Sequence, residues 1–358
     1  MKHIVRSGLN YFQAIVKSVN AFAMPEHVQV EVTTYCNLNC LACGRRSIVQ
    51  TPLHMKFDDF VKIYDQIRPR NINLSGLGEP LLNPDIFTMI RYCVERGSVV
   101  NFPTNLVVSS SAIEKLVDSE IDQIKVSFDA ASSDVYKKVR QCDRFNVVIN
   151  NIKLINTLKK ERSITKPEIR FNFCLEKENV YELPCFIELA KEFDVKMVYV
   201  QDLNYFSVED MKKELCGIGI QELTDILTET KRKADWYGIA TNIDNWMRHM
   251  KSLHNKMLAR DEFIPNRITC HFPWVSAFID VKGNVKPCPV FVWDKDAPSL
   301  GNCLQKPFAS IWNGERYRRV REEFRKGIRS FAICERCVPP SFVVMKLIVQ
   351  KMLLRKKR

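Results

Sequence analysis

The chain has 358 residues, of which 46% are hydrophobic and 27% charged, so it can build a packed core and is not an intrinsically disordered protein. Its thirteen cysteines are an odd number with no secretory signal before them, so a disulfide framework fits poorly and metal ligands fit better. The net charge of +13 suggests an acidic partner (nucleic acid, an anionic membrane or a phosphorylated substrate) or else a generally basic surface.

The first predicted element is an amphipathic helix over residues 1–24, because apolar residues recur at steps of three and four. From residue 27 onward, strand-like runs alternate with helical ones. The predicted strands are Val28–Thr34, Asn71–Ser75, Val99–Thr104, Gln123–Phe128, Glu168–Cys174 and Lys196–Gln201, and helices are predicted near 57–68, 84–96, 110–119, 145–160 and 179–193.

Six strand–helix alternations predict parallel strands joined by right-handed crossovers. Six units are too few for a complete eight-unit barrel, so we expect an α/β fold with a partial (β/α)6 TIM-like barrel and ligands at the carboxyl ends of its strands. A small cysteine-rich domain follows, with a hairpin that turns at Lys282-Gly283-Asn284. The expected domains are an N-terminal helix (1–26), the barrel core (27–240), the cysteine-rich domain (241–340) and a basic tail (341–358).

The first cysteine cluster, Cys36-Asn-Leu-Asn-Cys40-Leu-Ala-Cys43, follows directly on the first predicted strand. Three thiolates on one short loop can hold a four-iron cluster and leave one iron open to bind a small molecule. The alternative is a partial zinc site that a distant residue completes. Five scattered cysteines are interpreted instead as buried small hydrophobic residues, namely Cys93, Cys142, Cys174, Cys185 and Cys216.

This loop resembles the signature of the radical S-adenosylmethionine (SAM) superfamily. The resemblance implies that Cys36, Cys40 and Cys43 hold a [4Fe–4S] cluster whose fourth iron chelates SAM. It also implies that one electron from the cluster cleaves SAM to a 5′-deoxyadenosyl radical, which abstracts hydrogen from the substrate.

Three further motifs of that family match in order at successive predicted strand ends. The resemblance makes them cofactor-binding residues, and Glu79 offers an acceptor for the ammonium group of SAM. Each motif also has an alternative reading as a turn or a helix cap. Two residues depart from the family pattern: Ala42 replaces an aromatic residue, and Leu106 stands where glycine is common. The expected cofactor-binding residues are Gly76, Gly78, Glu79, Thr104, Asn105, Ser127 and Asp129.

The second cysteine cluster consists of Cys270, Cys288, Cys334 and Cys337. Four cysteines can saturate one iron–sulfur cluster, or one structural zinc ion. The spacing around Gly283 and the late Cys-x2-Cys pair resemble the SPASM/twitch-type extension of radical SAM enzymes. That resemblance implies one auxiliary [4Fe–4S] cluster.

The resemblance predicts a radical SAM oxidoreductase that oxidises or rearranges a small molecule such as a sugar, a cyclitol or a lipid-linked precursor. The alternatives are a maturase of ribosomal peptides and a non-catalytic basic zinc protein. Only about 26 residues precede the first strand, which disfavours the extra peptide-binding domain of many maturases. A low-potential donor such as flavodoxin or ferredoxin is expected, and a nucleic-acid partner is not.

The C-terminal segment Phe342–Leu354 is apolar, is interrupted by two lysines and ends in four basic residues. It is too short and too charged to span a bilayer. It either lies in the interface of an anionic membrane or docks on the enzyme body. The expected location is therefore cytoplasmic, with possible peripheral contact with the membrane.

Overall fold

The computed structural model describes residues 2–201, 218–247, 270–294, 296–328 and 331–336. Within them, ten strands form one sheet in the order β10-β9-β8-β1-β2-β3-β4-β5-β6-β7. The strands are β1 (His27–Val30), β2 (Asn71–Asn73), β3 (Val99–Thr104), β4 (Gln123–Ser127), β5 (Glu168–Cys174), β6 (Met197–Gln201), β7 (Ala240–Thr241), β8 (Ser276–Ile279), β9 (Asn284–Lys286) and β10 (Gly301–Asn302).

The helices alternate with the strands as the sequence predicts. They are α1 (Lys2–Ile15), α2 (Arg45–Ile48), α3 (Phe57–Ile67), α4 (Ile86–Val94), α5 (Ser110–Asp118), α6 (Ser133–Arg140), α7 (Phe145–Glu161), α8 (Leu183–Glu192), α9 (Ile220–Tyr237), α10 (Phe272–Val275), α11 (Phe308–Trp312), α12 (Glu315–Arg325) and α13 (Ala332–Arg336).

The predicted partial barrel is confirmed, since β1 to β6 pair with their neighbours in parallel and in chain order. One face of these strands carries buried apolar side chains such as Ile72, Phe102 and Val126, which belong to the main core. Burial of this face against the helices is the main hydrophobic stabilisation of the fold.

The predicted hairpin is also confirmed, because β8 and β9 are antiparallel around Gly283, which has φ of +83°. The hairpin is part of the barrel sheet, since β8 pairs in parallel with β1 over His27 to Val30. The two cysteine-bearing regions therefore share one hydrogen-bonded sheet.

The N-terminal helix is shorter than predicted, and its polar face is the buried one. The helix ends at Ile15, and Lys17 has a left-handed φ of +50°. The apolar side chains of Leu9, Phe12 and Val16 are 41%, 55% and 48% exposed. The buried face is the polar one, because its side chains bind backbone groups that hydrophobic residues could not satisfy.

Gln13 is the central residue of that buried face. Its amide donates to the carbonyls of Trp274 (2.7 Å) and Ala23 (3.2 Å), and its oxygen accepts from the N–H groups of Phe22 and Ala23. Asn10 likewise donates to the Met24 carbonyl at 2.7 Å. These bonds join α1 to the segment before β1 and to α10.

Among the scattered cysteines, Cys93 is fully buried as predicted, whereas Cys185 is exposed on α8, so its prediction as a buried residue is wrong. Cys142 and Cys174 are half-buried, and Cys216 lies outside the described residues. Across the described part of the chain, no helix combines the length and the apolar character that crossing a bilayer needs. The basic tail lies outside those residues.

We expect Gln13→Leu to lower the free energy of unfolding by roughly 2–4 kcal/mol, because it leaves buried backbone groups without partners. Ile15→Gln, on the exposed side of the same helix, is the control and should change it by less than about 0.5 kcal/mol. Urea denaturation followed by circular dichroism measures both. Equal effects of the two substitutions would contradict the burial of the polar face.

Candidate functional site

The first cysteine loop lies beyond the carboxyl end of β1. Cys36, Cys40 and Cys43 are all half-buried, and the Cys43 N–H donates to the Cys40 carbonyl at 3.2 Å. The Leu41 N–H donates to the Val139 carbonyl at 2.9 Å, which attaches the loop to the last turn of α6. The loop is therefore anchored by a main-chain bond to an element that is distant in sequence.

The glycine-rich turn after β2 packs directly against the backbone that leads into Cys36. The Gly78 N–H donates to the Thr33 carbonyl at 3.2 Å, and the Glu79 N–H donates to the Tyr35 carbonyl at 2.7 Å. A Cβ atom at position 78 would lie 2.4 Å from the Tyr35 carbonyl oxygen. Only glycine allows this close approach of two backbones.

Glu79 connects the glycine-rich turn to the end of β3. Its carboxylate is 3% exposed and accepts from the Thr104 hydroxyl (2.7 Å), the Asn105 N–H (2.7 Å) and the Leu81 N–H (3.2 Å). Burial raises the pKa of Glu79, and these donors oppose the shift. The carboxylate that the sequence assigns to the SAM ammonium thus has three partners within the protein.

Asn105 extends this network to the cysteine loop. Its amide nitrogen is 2.9 Å from the Asn37 Oδ1 and 3.8 Å from the Cys36 Sγ. Three residues that the sequence assigns to the site, Glu79, Thr104 and Asn105, therefore hold the first cysteine through a continuous chain of hydrogen bonds.

A second network reaches the middle cysteine from the end of β4. Asp129 is buried and lies 2.5 Å from Arg140, whose other nitrogen donates to the Cys40 Sγ at 3.4 Å. The other oxygen of Asp129 accepts from the Cys174 N–H at 2.7 Å, at the end of β5. Burial raises the pKa of Asp129, and Arg140 opposes that shift.

Arg140 is a contact that the sequence did not indicate, because nothing in its spacing distinguishes it from the other basic residues of α6. Ser127, also assigned from sequence, ends β4 and is half-buried, and its register partner on β5 is Asn172.

The residue after Asn105, which departs from the family pattern, keeps a backbone conformation that suits glycine. Leu106 has φ of +57° and a fully buried side chain, so a left-handed position that suits glycine is occupied by leucine. The Asn151 amide donates to the carbonyls of Leu106 and Val108 at 2.9 Å each, which stabilises this backbone.

The environment of Cys36 and Cys43 bears on metal binding. Burial, with the nearby charges of Glu79 and Cys40, raises the pKa of Cys36 to about 11. Burial also raises the pKa of Cys43. Ionised thiolates at these two positions therefore need added positive charge, which iron supplies.

In the described part of the chain, no three His, Cys, Asp or Glu side chains are close enough to share a single metal ion. A cubane cluster offers a separate iron atom to each thiolate, so its ligands need not converge on one point.

Glu31 connects the glycine-rich turn to the second cysteine region. Its buried carboxylate accepts from the Leu77 N–H at 2.9 Å and from the Val281 N–H, in the β8–β9 turn, at 3.2 Å. A Cβ atom on Gly76 would lie 2.2 Å from the Glu31 Cγ. Sequence reasoning missed Glu31, although a carboxylate between the buried Val30 and Val32 was a usable signal.

One aromatic contact links the elements that carry Cys288 and Cys334. Cys288 precedes a short 3-10 helix over Pro289–Trp293, and Cys334 lies on α13. Phe291 of the first element packs edge-on against Phe331, beside the second, at 4.9 Å. Cys270 directly precedes α10, and Cys337 lies outside the described residues.

A buried hydroxyl beside Cys288, and a buried cation that contacts its ring, fit an anionic cluster. The Tyr317 hydroxyl has no hydrogen-bond partner in the described residues, and burial and the nearby Cys288 raise its pKa. The Arg321 guanidinium lies over the Tyr317 ring at 4.7 Å, is fully buried, and forms no ion pair with any described carboxylate. Cubane clusters held by thiolates are anionic, so the donor and the cation suit one here.

Comparison with known families agrees with this geometry. Residues 30–166 match the model of the Radical SAM superfamily, and residues 270–338 match SPASM, an iron–sulfur cluster-binding domain. The chain belongs to the radical SAM superfamily. It is a radical SAM enzyme with a C-terminal SPASM domain, and its cofactors are SAM, a [4Fe–4S] cluster and auxiliary iron–sulfur.

The proteins that are similar to this chain differ in the reactions that they catalyse. The AdoMet-dependent heme synthase of Methanosarcina barkeri is 26% identical over 333 residues, which is 87% of this chain and 88% of that protein. Streptococcus suis SuiB, solved with its precursor peptide SuiA, superposes with a TM-score of 0.64 over 86% of this chain and 69% of SuiB, at 16% identity. anSMEcpe, solved with AdoMet and a peptide, has a TM-score of 0.60 at 14% identity, over 87% of this chain and 86% of that one. These structural similarities establish the fold of the chain.

We expect Gly78→Ala to abolish SAM binding, because the added methyl group would overlap the carbonyl oxygens of Thr33 and Tyr35 and displace the turn. Gly8→Ala is the control, since no atom lies within 4 Å of its added Cβ and alanine favours the helix. Isothermal titration of anaerobically reconstituted protein with SAM measures both. Wild-type affinity in Gly78→Ala would show that the turn does not contact the cofactor.

Proposed function

We propose that Cys36, Cys40 and Cys43 hold the SAM-binding [4Fe–4S] cluster, and that Cys270, Cys288, Cys334 and Cys337 hold one auxiliary cluster. The observation that carries the first assignment is the convergence of two buried networks on the cysteine loop. Asn105 contacts Cys36 from β3, and Arg140 contacts Cys40 from α6. N–H donors at ligand sulfurs stabilise the thiolate form that metal binding requires.

When bound, the cluster and SAM supply a 5′-deoxyadenosyl radical that abstracts hydrogen from the substrate. The residues of the chain position the elements that surround the cofactors. Gly76 and Gly78 let the turn pack against Glu31 and against the backbone that leads into Cys36. Glu79 holds that turn to Thr104 and Asn105, and the backbone ends of β3 and β4 face the same edge of the sheet. In this arrangement Glu79 and Asp129 are positioning residues.

We further infer that the reaction is a net oxidation or a rearrangement of a small molecule such as a sugar, a cyclitol or a lipid-linked precursor. A saturated auxiliary cluster has no open iron at which to bind substrate, and we infer that it accepts an electron from the substrate radical. Electrons for the first cluster come from a low-potential donor such as flavodoxin or ferredoxin. If the enzyme instead modifies a ribosomal peptide, turnover will require a leader peptide.

Alanine at Cys36, Cys40 and Cys43 together should remove SAM cleavage and lower the iron content from about eight to about four atoms per chain, because one of two four-iron clusters is lost. Dithionite-driven release of 5′-deoxyadenosine and iron and sulfide assays under anaerobic conditions measure these effects. Cys185→Ala, an exposed cysteine of α8, is the matched control and should retain both properties. Cleavage by the triple variant would refute the assignment.

Cys334→Ala should also lower the iron content to about four atoms per chain, yet retain SAM cleavage and lose substrate turnover, because only the auxiliary cluster is disturbed. The same assays, together with product analysis by mass spectrometry, test this expectation. If turnover persists with half the iron, the auxiliary cluster is structural and takes no part in electron transfer.

A further inference from the structure

The two faces of the barrel sheet differ sharply in polarity. The face that packs against the helices is apolar, as Ile124 and Ile169 illustrate, and both are buried. The opposite face, called here the inner face, is polar across six neighbouring strands. Its half-buried or exposed side chains include Gln29 (β1), Asn73 (β2), Asn101 (β3), Lys125 (β4), Arg170 (β5) and Tyr199 (β6). A face of this composition is suited to binding a polar ligand rather than to packing.

Two cations lie side by side on the inner face. Lys125 and Arg170 are register partners on the parallel strands β4 and β5, so their side chains leave the sheet from adjacent positions on the same face. Like charges directly across neighbouring strands destabilise a sheet. A nearby negative charge would offset the repulsion between the two cations.

Within the described part of the chain, a carboxylate contacts only one member of the pair. Arg170 contacts Glu168 at 2.8 Å. The Lys125 ammonium donates to the Asn101 amide oxygen at 3.0 Å and forms no ion pair with a carboxylate of the described residues. Burial, and after it the charge of Arg170, lowers the pKa of Lys125 to about 8. Lys125 is thus a half-buried cation with no carboxylate partner among the residues that the structure describes.

The position of Lys125 relates it to the proposed reaction site. It lies two residues before Ser127 on the same face of β4, which is about 7 Å along the strand. A ligand that binds Lys125 through one group could extend towards the carboxyl ends of the strands. The cysteine loop and the glycine-rich turn lie at those ends.

We propose that the inner face binds the substrate through an anionic group, a carboxylate or a phosphate, which is held by Lys125 and Arg170 and bridges the two cations. This inference rests on the proposed function and names the chemical class of its substrate. Lys125 and Arg170 are register partners on adjacent strands. One group with several oxygens can therefore accept hydrogen bonds from both the ammonium and the guanidinium.

Competitive acetylation tests the proposal on the anaerobically reconstituted enzyme. Acetic anhydride at pH 8 is applied with pyrophosphate, succinate or choline chloride at matched ionic strength, and the modification of each lysine is quantified by peptide mass spectrometry. We expect pyrophosphate or succinate to slow acetylation of Lys125 at least fivefold and choline chloride to leave it unchanged. The anion that protects Lys125 more strongly shows whether the substrate carries a phosphate or a carboxylate.

Lys115, an exposed lysine of α5, is the internal control and should be acetylated at the same rate in all three solutions. Arg170→Met should abolish most of the protection at Lys125, because one of the two cations is lost. Equal rates at Lys125 in all solutions would overturn the proposal. So would failure of the small reagent to reach Lys125 at all, since a face closed to it is closed to the anion.

SAM cleavage by the same wild-type sample separates this proposal from the assignment of the cluster. If SAM is cleaved and anions give no protection, only the anionic substrate is refuted. If SAM is not cleaved, the proposed function itself fails, whatever the acetylation shows.

Discussion

Two buried carboxylates hold the cysteine loop, and the rest of the site depends on them. Glu79 binds the end of β3 and, through Asn105, reaches Cys36, whereas Asp129 pairs with Arg140, which reaches Cys40. A buried carboxylate is costly unless donors surround it, so each one forces several backbone groups into a single arrangement. These contacts hold the loop that carries the three thiols in one arrangement, and such preorganisation limits the ordering cost of ligand binding.

The continuous sheet explains how a SPASM domain is placed relative to the radical SAM core. Strand β8 extends the sheet beside β1, and Glu31 accepts hydrogen bonds both from the glycine-rich turn and from the β8–β9 turn. Main-chain pairing and one buried carboxylate thus connect the region of the SAM-binding turn to the hairpin that leads into Cys288. The shared sheet thus fixes the position of the hairpin relative to the glycine-rich turn.

The N-terminal helix shows where hydrophobic periodicity misleads. The pattern predicted a helix, which exists over Lys2–Ile15, but the apolar stripe faces outward while Gln13 and Asn10 are buried. Periodicity reports that a helix is amphipathic and assumes that the apolar face packs inward. Here the neighbouring segments present unsatisfied carbonyl and N–H groups instead of an apolar surface, and amide side chains complement those groups better.

The sequence by itself determined the six parallel strands, the hairpin, the family and the order of the candidate motifs, because each depends on local pattern and on spacing along the chain. It did not identify Arg140, Glu31 or the Lys125–Arg170 pair, and it could not tell that β8 continues the barrel sheet at β1. Those features join residues from 45 to 250 positions apart. Only the tertiary structure decides which distant polar groups meet, since their energies arise from burial and from partners that no local pattern encodes.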